Sequence, residues 1–242
     1  MITGKADIIA RLRRDLLSLQ GFKQVRDTDA SVGLGKINYS FPNGSFPVGA
    51  MHEFISSGKE DLAATAGFIA AVAGKLMKNG GASLWIGSSR SVFPPALKFF
   101  DIDPEKIIFI DLRREKDVTW AMEEALKCDS LAAIVGEIQE LNFTASRRFQ
   151  LAVEKSRVTG FILRCNPRNP NIIACVARWK ITSLPGLLND DMPGVGFPRW
   201  NVELLKIRNG KPGSWQIEWI NNRFMHLPSA NSIVLELEKK TG

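Results

Sequence analysis

Histidine and cysteine are scarce in this 242-residue sequence, and their scarcity narrows the chemistry on offer. The two histidines, His52 and His226, are far apart, and His52 falls in the apolar stretch MHEFIS, where a core or edge position is expected rather than catalysis. The three cysteines, Cys128, Cys165 and Cys175, share no metal-ligand spacing, and their odd number argues against a full disulfide framework. They are expected to be small, reduced, buried side chains. H-E-x-x-H and G-x-S-x-G are both missing, so no residue is nominated as a catalytic nucleophile or metal ligand. No apolar run approaches the roughly 18 to 20 residues that span a bilayer. With a charged opening, MITGKADIIARLRRDLL, a cytoplasmic protein without membrane contact is expected. Internal repeats and low-complexity tracts are absent as well.

What is present supports a substantial core: 45% of the residues are hydrophobic, enough for one large domain with short extensions. Lysine and arginine exceed the acids by 32 to 25, a net +7 that permits attraction to nucleic acid or to acidic proteins. The arginines are dispersed rather than gathered in one tract.

Ile8, Ile9, Leu12, Leu16 and Leu19 recur at helical spacing and Gly21 supplies a stop, so an amphipathic helix is expected within 1–24. Residues 25–49 are rich in Gly, Ser, Asn and Pro and read as a linker. Within 50–227, strand-like AMHEFI, ASLWIG, KIIFIDL, LAAIVGEI and TGFILRC alternate with helical EDLAATAGFIAAVAGKLMKNGG, EKDVTWAMEEALKC and TASRRFQLAVEKSR. That order predicts an α/β core with a mostly parallel sheet flanked by helices. CVARWKITSL, RWNVELLKIRNG and SWQIEWI then follow without helices, predicting antiparallel strands that extend one edge, and 228–242 reads as a tail.

Ligands of open α/β sheets bind at the carboxyl ends of the strands. The first such place, HEFISSGKEDLAATAG, has the look of a phosphate loop, G-x-x-x-x-G-K-[ST]. Gly58 and Lys59 fit the pattern, but Glu53 stands where the first glycine belongs and Glu60 where the hydroxyl belongs. Glu60 and Asp61 would also repel a triphosphate while favouring the helix dipole themselves. A helix start capped by Ser56 or Ser57 is therefore expected. After ASLWIG come Ser88, Ser89 and Arg90, none able to act as a base, and Gly136 ends LAAIVG where a magnesium-binding aspartate would stand. By strand alternation the neighbouring Glu137 is expected to face the other way.

Taken in order, GSFPVGAMHEFIS, DIDPEKIIFIDLRREKDVTWAMEEALKC with LAAIVGEI, SRRFQLAVEKSRVTGFILR, ARWKITSLPG and RWNVELLKIRNGKPGSWQIEW resemble the RecA-type ATPase core. The resemblance is closer to its ImuA-like branch, also described as SulA- or RecA-like. It implies a RecA-like fold and an accessory role in DNA-damage-induced mutagenesis and translesion synthesis, part of the SOS response. The implied partners are an ImuB-like Y-family polymerase relative and an error-prone replicative-type polymerase. With degenerate nucleotide motifs, the implied role is a non-catalytic scaffold, with no cofactor and ATP not expected.

By position in the RecA pattern, the DNA loops fall at QELNFTAS and NPRNPN, and both are short. Arg147, Arg148, Arg164 and Arg168 are the candidates there for point contacts to DNA phosphates. The stripe Ile9, Leu12, Leu16 and Leu19 is the candidate contact for a partner or for self-association. Two other readings stand beside the scaffold. One is an atypical DNA-dependent ATPase using Lys59 with Glu53, Asp111 or Glu137, and the other is a SulA-like inhibitor of cell division.

Overall fold

The computed structural model describes residues 32–78, 80–88, 92–168, 171–186 and 196–228. The stripe Ile9, Leu12, Leu16 and Leu19, together with Ser89, Arg90 and the tail from 229, lies outside the described residues.

The short β-branched runs form strands and the amphipathic runs between them form helices. In chain order these are β1 (Met51–Ser56), α1 (Lys59–Met77), β2 (Ala82–Gly87), β3 (Ile107–Asp111), α2 (Glu115–Ala125) and β4 (Leu131–Glu137). α3 (Phe143–Ser156), β5 (Thr159–Cys165), β6 (Ala177–Leu184), β7 (Arg199–Ile207), β8 (Gly213–Ile220) and β9 (Arg223–His226) complete the order. Three 3-10 segments, Gly35–Ser40, Pro94–Phe100 and Pro104–Lys106, connect or cover them.

All nine strands share one sheet in the order β3-β2-β4-β5-β1-β6-β7-β8-β9. Every pairing from β3 to β6 is parallel, and the pairings from β6 to β9 are antiparallel. The expected mostly parallel, helix-flanked sheet with antiparallel strands at its end is therefore observed. Its boundary falls one strand later than expected. β6 is the last parallel strand, paired with β1, although the connection leading into it contains no helix.

α1 occupies one face. Its run from Phe68 to Gly74 is buried on all sides, as an all-round apolar helix must be. Alanine keeps it slender, and at Gly74 a Cβ would stand 2.5 Å from the Phe100 carbonyl oxygen, so the 3-10 segment Pro94–Phe100 can lie directly on the helix. Trp179, Phe54 and Phe68 fill the space between α1 and the sheet, with Trp179 and Phe54 stacked at 5.9 Å.

α2 and α3 cover the other face over Met51, Ile134, Ile162 and Ile86. The described part of the expected linker is not a loose connection. Val32, Leu34, Ile37, Phe41 and Phe46 are all buried in the α1-side core. Glycine and proline there signal irregular backbone, which composition alone does not distinguish from exposure.

Candidate functional site

β1 ends at Ser56 and α1 begins at Lys59, so Ser57 and Gly58 alone connect them. Gly58 is the helix N-cap with fully extended backbone, and no side chain caps the helix. The expected serine cap is thereby corrected. Ser56 is buried and its hydroxyl lies 2.9 Å from the Thr65 hydroxyl, one turn inside α1, while Ser57 is exposed. A two-residue connection cannot curl several backbone amides around a phosphate, which is what the glycine-rich loop exists to do. Lys59 projects into solvent, with Glu60 and Asp61 in the same first turn.

The remaining nucleotide elements do not converge on this loop either. At Gly136 a Cβ would overlap the Sδ of Met122 on α2, so the position where an aspartate would stand is packed shut from the far face. Glu137 points the other way, as alternation requires, which puts it on the α1 face, where its Oε1 accepts a 2.6 Å hydrogen bond from Trp85 Nε1. Glu137 belongs to β4, two strands from β1, and Asp111 to β3, four strands away. At about 4.8 Å per strand those separations are roughly 10 and 19 Å. Among the described residues no group of three His, Cys, Asp or Glu side chains is placed to hold a metal ion. The described residues do not fit a magnesium nucleotide.

Glu53 is the third carboxylate of that set, and it is committed elsewhere. It sits in the middle of β1, 1% exposed, with β5 on one side and β6 on the other. Arg178 is its register partner on β6 and Arg164 lies two residues beyond its register partner on β5. Glu53 Oε1 meets Arg164 Nη1 at 2.8 Å and Oε2 meets Arg178 Nε at 2.5 Å. Two guanidinium groups thus flank one buried carboxylate. Such an arrangement is tolerated only when the remaining donors are satisfied.

They are satisfied largely by the loops after β4 and β5. Arg164 Nε donates to the Gln139 carbonyl at 3.0 Å and Nη1 also reaches Asn171 Oδ1 at 3.2 Å. Arg164 Nη2 stands 3.5 Å from Glu140 Oε2, an ion-pair distance without a hydrogen bond. Asn171 Nδ2 donates to the Leu141 carbonyl at 2.8 Å, and Glu140 Oε1 accepts the Arg168 backbone N–H at 2.8 Å. Through their described residues, the two loops expected to face DNA are joined to each other and to the sheet.

Of the four candidate arginines, then, Arg164 is 0% exposed and serves the interior. A phosphate contact by its side chain is incompatible with that burial. Arg148 is exposed but its Nε pairs with Glu123 Oε2 of α2 at 2.9 Å. Arg147 and Arg168 are exposed, and no acidic side chain lies within ion-pair distance of either among the described residues. Sequence reasoning had named Glu53 and Arg164 for unrelated tasks and missed that they are partners. A carboxylate inside the apolar run MHEFIS was the available signal, since such a group is rarely buried without a cation.

His52 faces the α1-side core, stacked on Phe46 at 4.3 Å. Trp179 Nε1 donates to Nδ1 at 3.3 Å and the other ring nitrogen lies 2.7 Å from the Pro47 carbonyl, which assigns the neutral Nε2–H form. Burial lowers its pKa from 6.5 to about 4, against the opposing pull of the Pro47 carbonyl. Burial, reinforced by the negative charge of Glu53, likewise pushes the Cys175 thiol up and keeps it unreactive. The other cysteines depart from expectation: Cys165 is half-buried and Cys128 exposed.

No helix among the described residues is long and apolar enough to cross a membrane. No protein-family model matches the chain. It is similar to Protein ImuA from two strains of Caulobacter vibrioides, NA1000/CB15N and CB 15, with 34% identity over 200 residues in each case. The match covers 78% of this chain and 82% of each relative.

Proposed function

The chain belongs to the ImuA family, and from that premise we propose that it is a cytoplasmic accessory protein of the error-prone response to DNA damage. In this reading it hydrolyses no ATP and acts through protein surfaces. It brings together the components of translesion synthesis, an ImuB-like Y-family polymerase relative and an error-prone replicative-type polymerase. The N-terminal stripe Ile9, Leu12, Leu16 and Leu19 is proposed as one of those contacts, and Arg147 and Arg168 as the exposed cations nearest the loops.

The observation that carries the non-catalytic part is the two-residue connection Ser57–Gly58, which leaves Lys59 without a loop to close around phosphate. The use of Glu53 by Arg164 and Arg178 takes one of the three carboxylates considered for a metal out of reach. The test is size-exclusion chromatography of the full chain mixed with the two polymerase components, without nucleotide. Co-elution is expected. Association that required magnesium ATP would contradict the scaffold reading, and capture of the cell-division GTPase in place of the polymerase components would favour the SulA-like one.

A further inference from the structure

Residues 32–52 and 204–217 contain no aspartate or glutamate, and the fold brings the two stretches together. In the 3-10 segment Gly35–Ser40, side chains three apart eclipse one another. Ile37 and Ser40 therefore share its buried inner side, and Lys36 and Tyr39 share the outer one. Tyr39, the sole tyrosine, is 85% exposed, so its ring adds almost nothing to the core.

Hydrogen bonds fix this segment on the sheet. The Lys36 N–H donates to His226 Nε2 at 3.0 Å, and the Lys211 N–H donates to the Ser40 carbonyl at 2.9 Å. At Gly210 a Cβ would overlap the Ser40 oxygen, so glycine is what lets the β7–β8 turn come this close. Tyr39 thus has Lys36 one turn before it and Lys211 fastened to the residue after it, and both lysines are exposed.

The charge around Tyr39 is positive among the described residues. No acidic side chain there lies within ion-pair distance of Lys36 or Lys211, nor of Lys206 and Arg208, which lead into the turn. The segment packs on β8 and β9. β9 has no acidic residue, and Glu218 is the one acid of β8. Glu218 alternates with Ile217 and Trp219, which are buried in the same α1-side core as Ile37. It therefore faces the opposite side of the sheet, where Arg199 pairs with it at 3.3 Å.

Lysines beside a protruding ring suit a single strand of nucleic acid, which offers phosphates to the cations and an unpaired base to the ring. A duplex keeps its bases stacked on one another and gives the ring no partner. An amphipathic acidic helix is disfavoured, because Ile37, Phe41 and Phe46 are buried and leave it no apolar stripe to cover.

We propose that Lys36, Tyr39 and Lys211 form a contact for single-stranded DNA, with Tyr39 stacking on a base and the lysines neutralising the flanking phosphates without reading sequence. The choice of DNA over RNA rests on the proposed role in the response to DNA damage, whereas the stacking contact does not.

A fluorescein-labelled oligothymidine is titrated into the full chain and followed by anisotropy, beside an abasic strand of the same length, a blunt duplex and an oligouridine. The oligothymidine binds most tightly. Tyr39→Ala weakens it about tenfold and leaves the abasic strand unaffected, while Tyr39→Phe keeps the ring and the affinity. Lys36→Ala and Lys211→Ala each lower the slope of log affinity against log salt by about 0.7. Lys155→Ala, on the exposed side of α3, controls for net charge and changes neither the tightness nor the slope. An unchanged urea midpoint verifies that the variants fold.

No binding of the oligothymidine, tighter binding of the duplex or the oligouridine, or a Tyr39→Ala variant that binds like the wild type overturns the proposal. Co-elution with the polymerase components, run without DNA, separates it from the scaffold reading. If co-elution fails while the oligothymidine binds, the scaffold reading falls alone, and if the components co-elute while the oligothymidine does not bind, this contact falls alone.

Discussion

Arg164 Nη1 stands 2.8 Å from Glu53 Oε1, with both side chains closed off from solvent, so an ion pair joins β5 to β1 in the middle of the sheet. Removing one partner leaves the other charged and uncompensated, a change that costs about 3 to 5 kcal/mol in buried pairs. Glu53→Ala is therefore expected to lower the free energy of unfolding by about that much, because it strands Arg164 and Arg178 together. Arg164→Met in the Glu53→Leu background should recover part of the loss. Urea denaturation of Glu53→Ala, Glu53→Leu, the double variant and the wild type checks both statements, and a single variant of full stability would contradict them.

His52 makes stability depend on pH. Its pKa falls from 6.5 to about 4 in the folded chain, so the unfolded chain binds more protons between those values. The contribution is complete above about pH 6.5 and declines as the pH falls to about 4. A shift of that size amounts to about 3 kcal/mol. His52→Gln should flatten the curve by that amount over the same window, which wild type and variant melts at pH 7 and pH 4.5 would reveal.

Gly136 stands where an aspartate would be placed to rebuild a magnesium site. A side chain there runs into Met122 on α2 and directs a carboxylate into the apolar layer with Ile134 and Ile86. Gly136→Asp is expected to lose more than about 3 kcal/mol from overpacking and an unpaired buried charge. It should gain no affinity for magnesium ATP, as urea denaturation and calorimetry would establish.

The alternation of strand and helix was legible in the sequence because each element carries its own period. ASLWIG and TGFILRC became β2 and β5 with the bounds read from the residues. Three things were hidden, each for a physical reason. The four-residue strand β9, RFMH, is too short to display a period. The buried side chains of residues 32–46 are irregularly spaced among turn-formers, so no pattern announced their place in the core. The Glu53 cluster depends on register: Arg164 and Arg178 lie 111 and 125 residues from Glu53 and meet it only once β5 and β6 have paired on either side of β1.

The departure of this stretch from the phosphate-loop pattern was readable from the residues themselves, since Glu53 and Glu60 occupy the positions of the glycine and the hydroxyl. Its extent was not. Only the structure gives the length of the connection as the two residues Ser57 and Gly58.

Lys59 is the residue on which the two main readings part most sharply. In the scaffold account it is a solvated lysine, and Lys59→Ala should change stability by no more than about 0.5 kcal/mol. The deciding measurement is calorimetric titration of magnesium ATP into the full chain and into Lys59→Ala, each with and without single-stranded DNA. No binding heat is expected under any of these conditions if the protein is a scaffold. Micromolar binding by the wild type that Lys59→Ala abolishes would contradict the scaffold reading and make the protein a nucleotide-controlled switch.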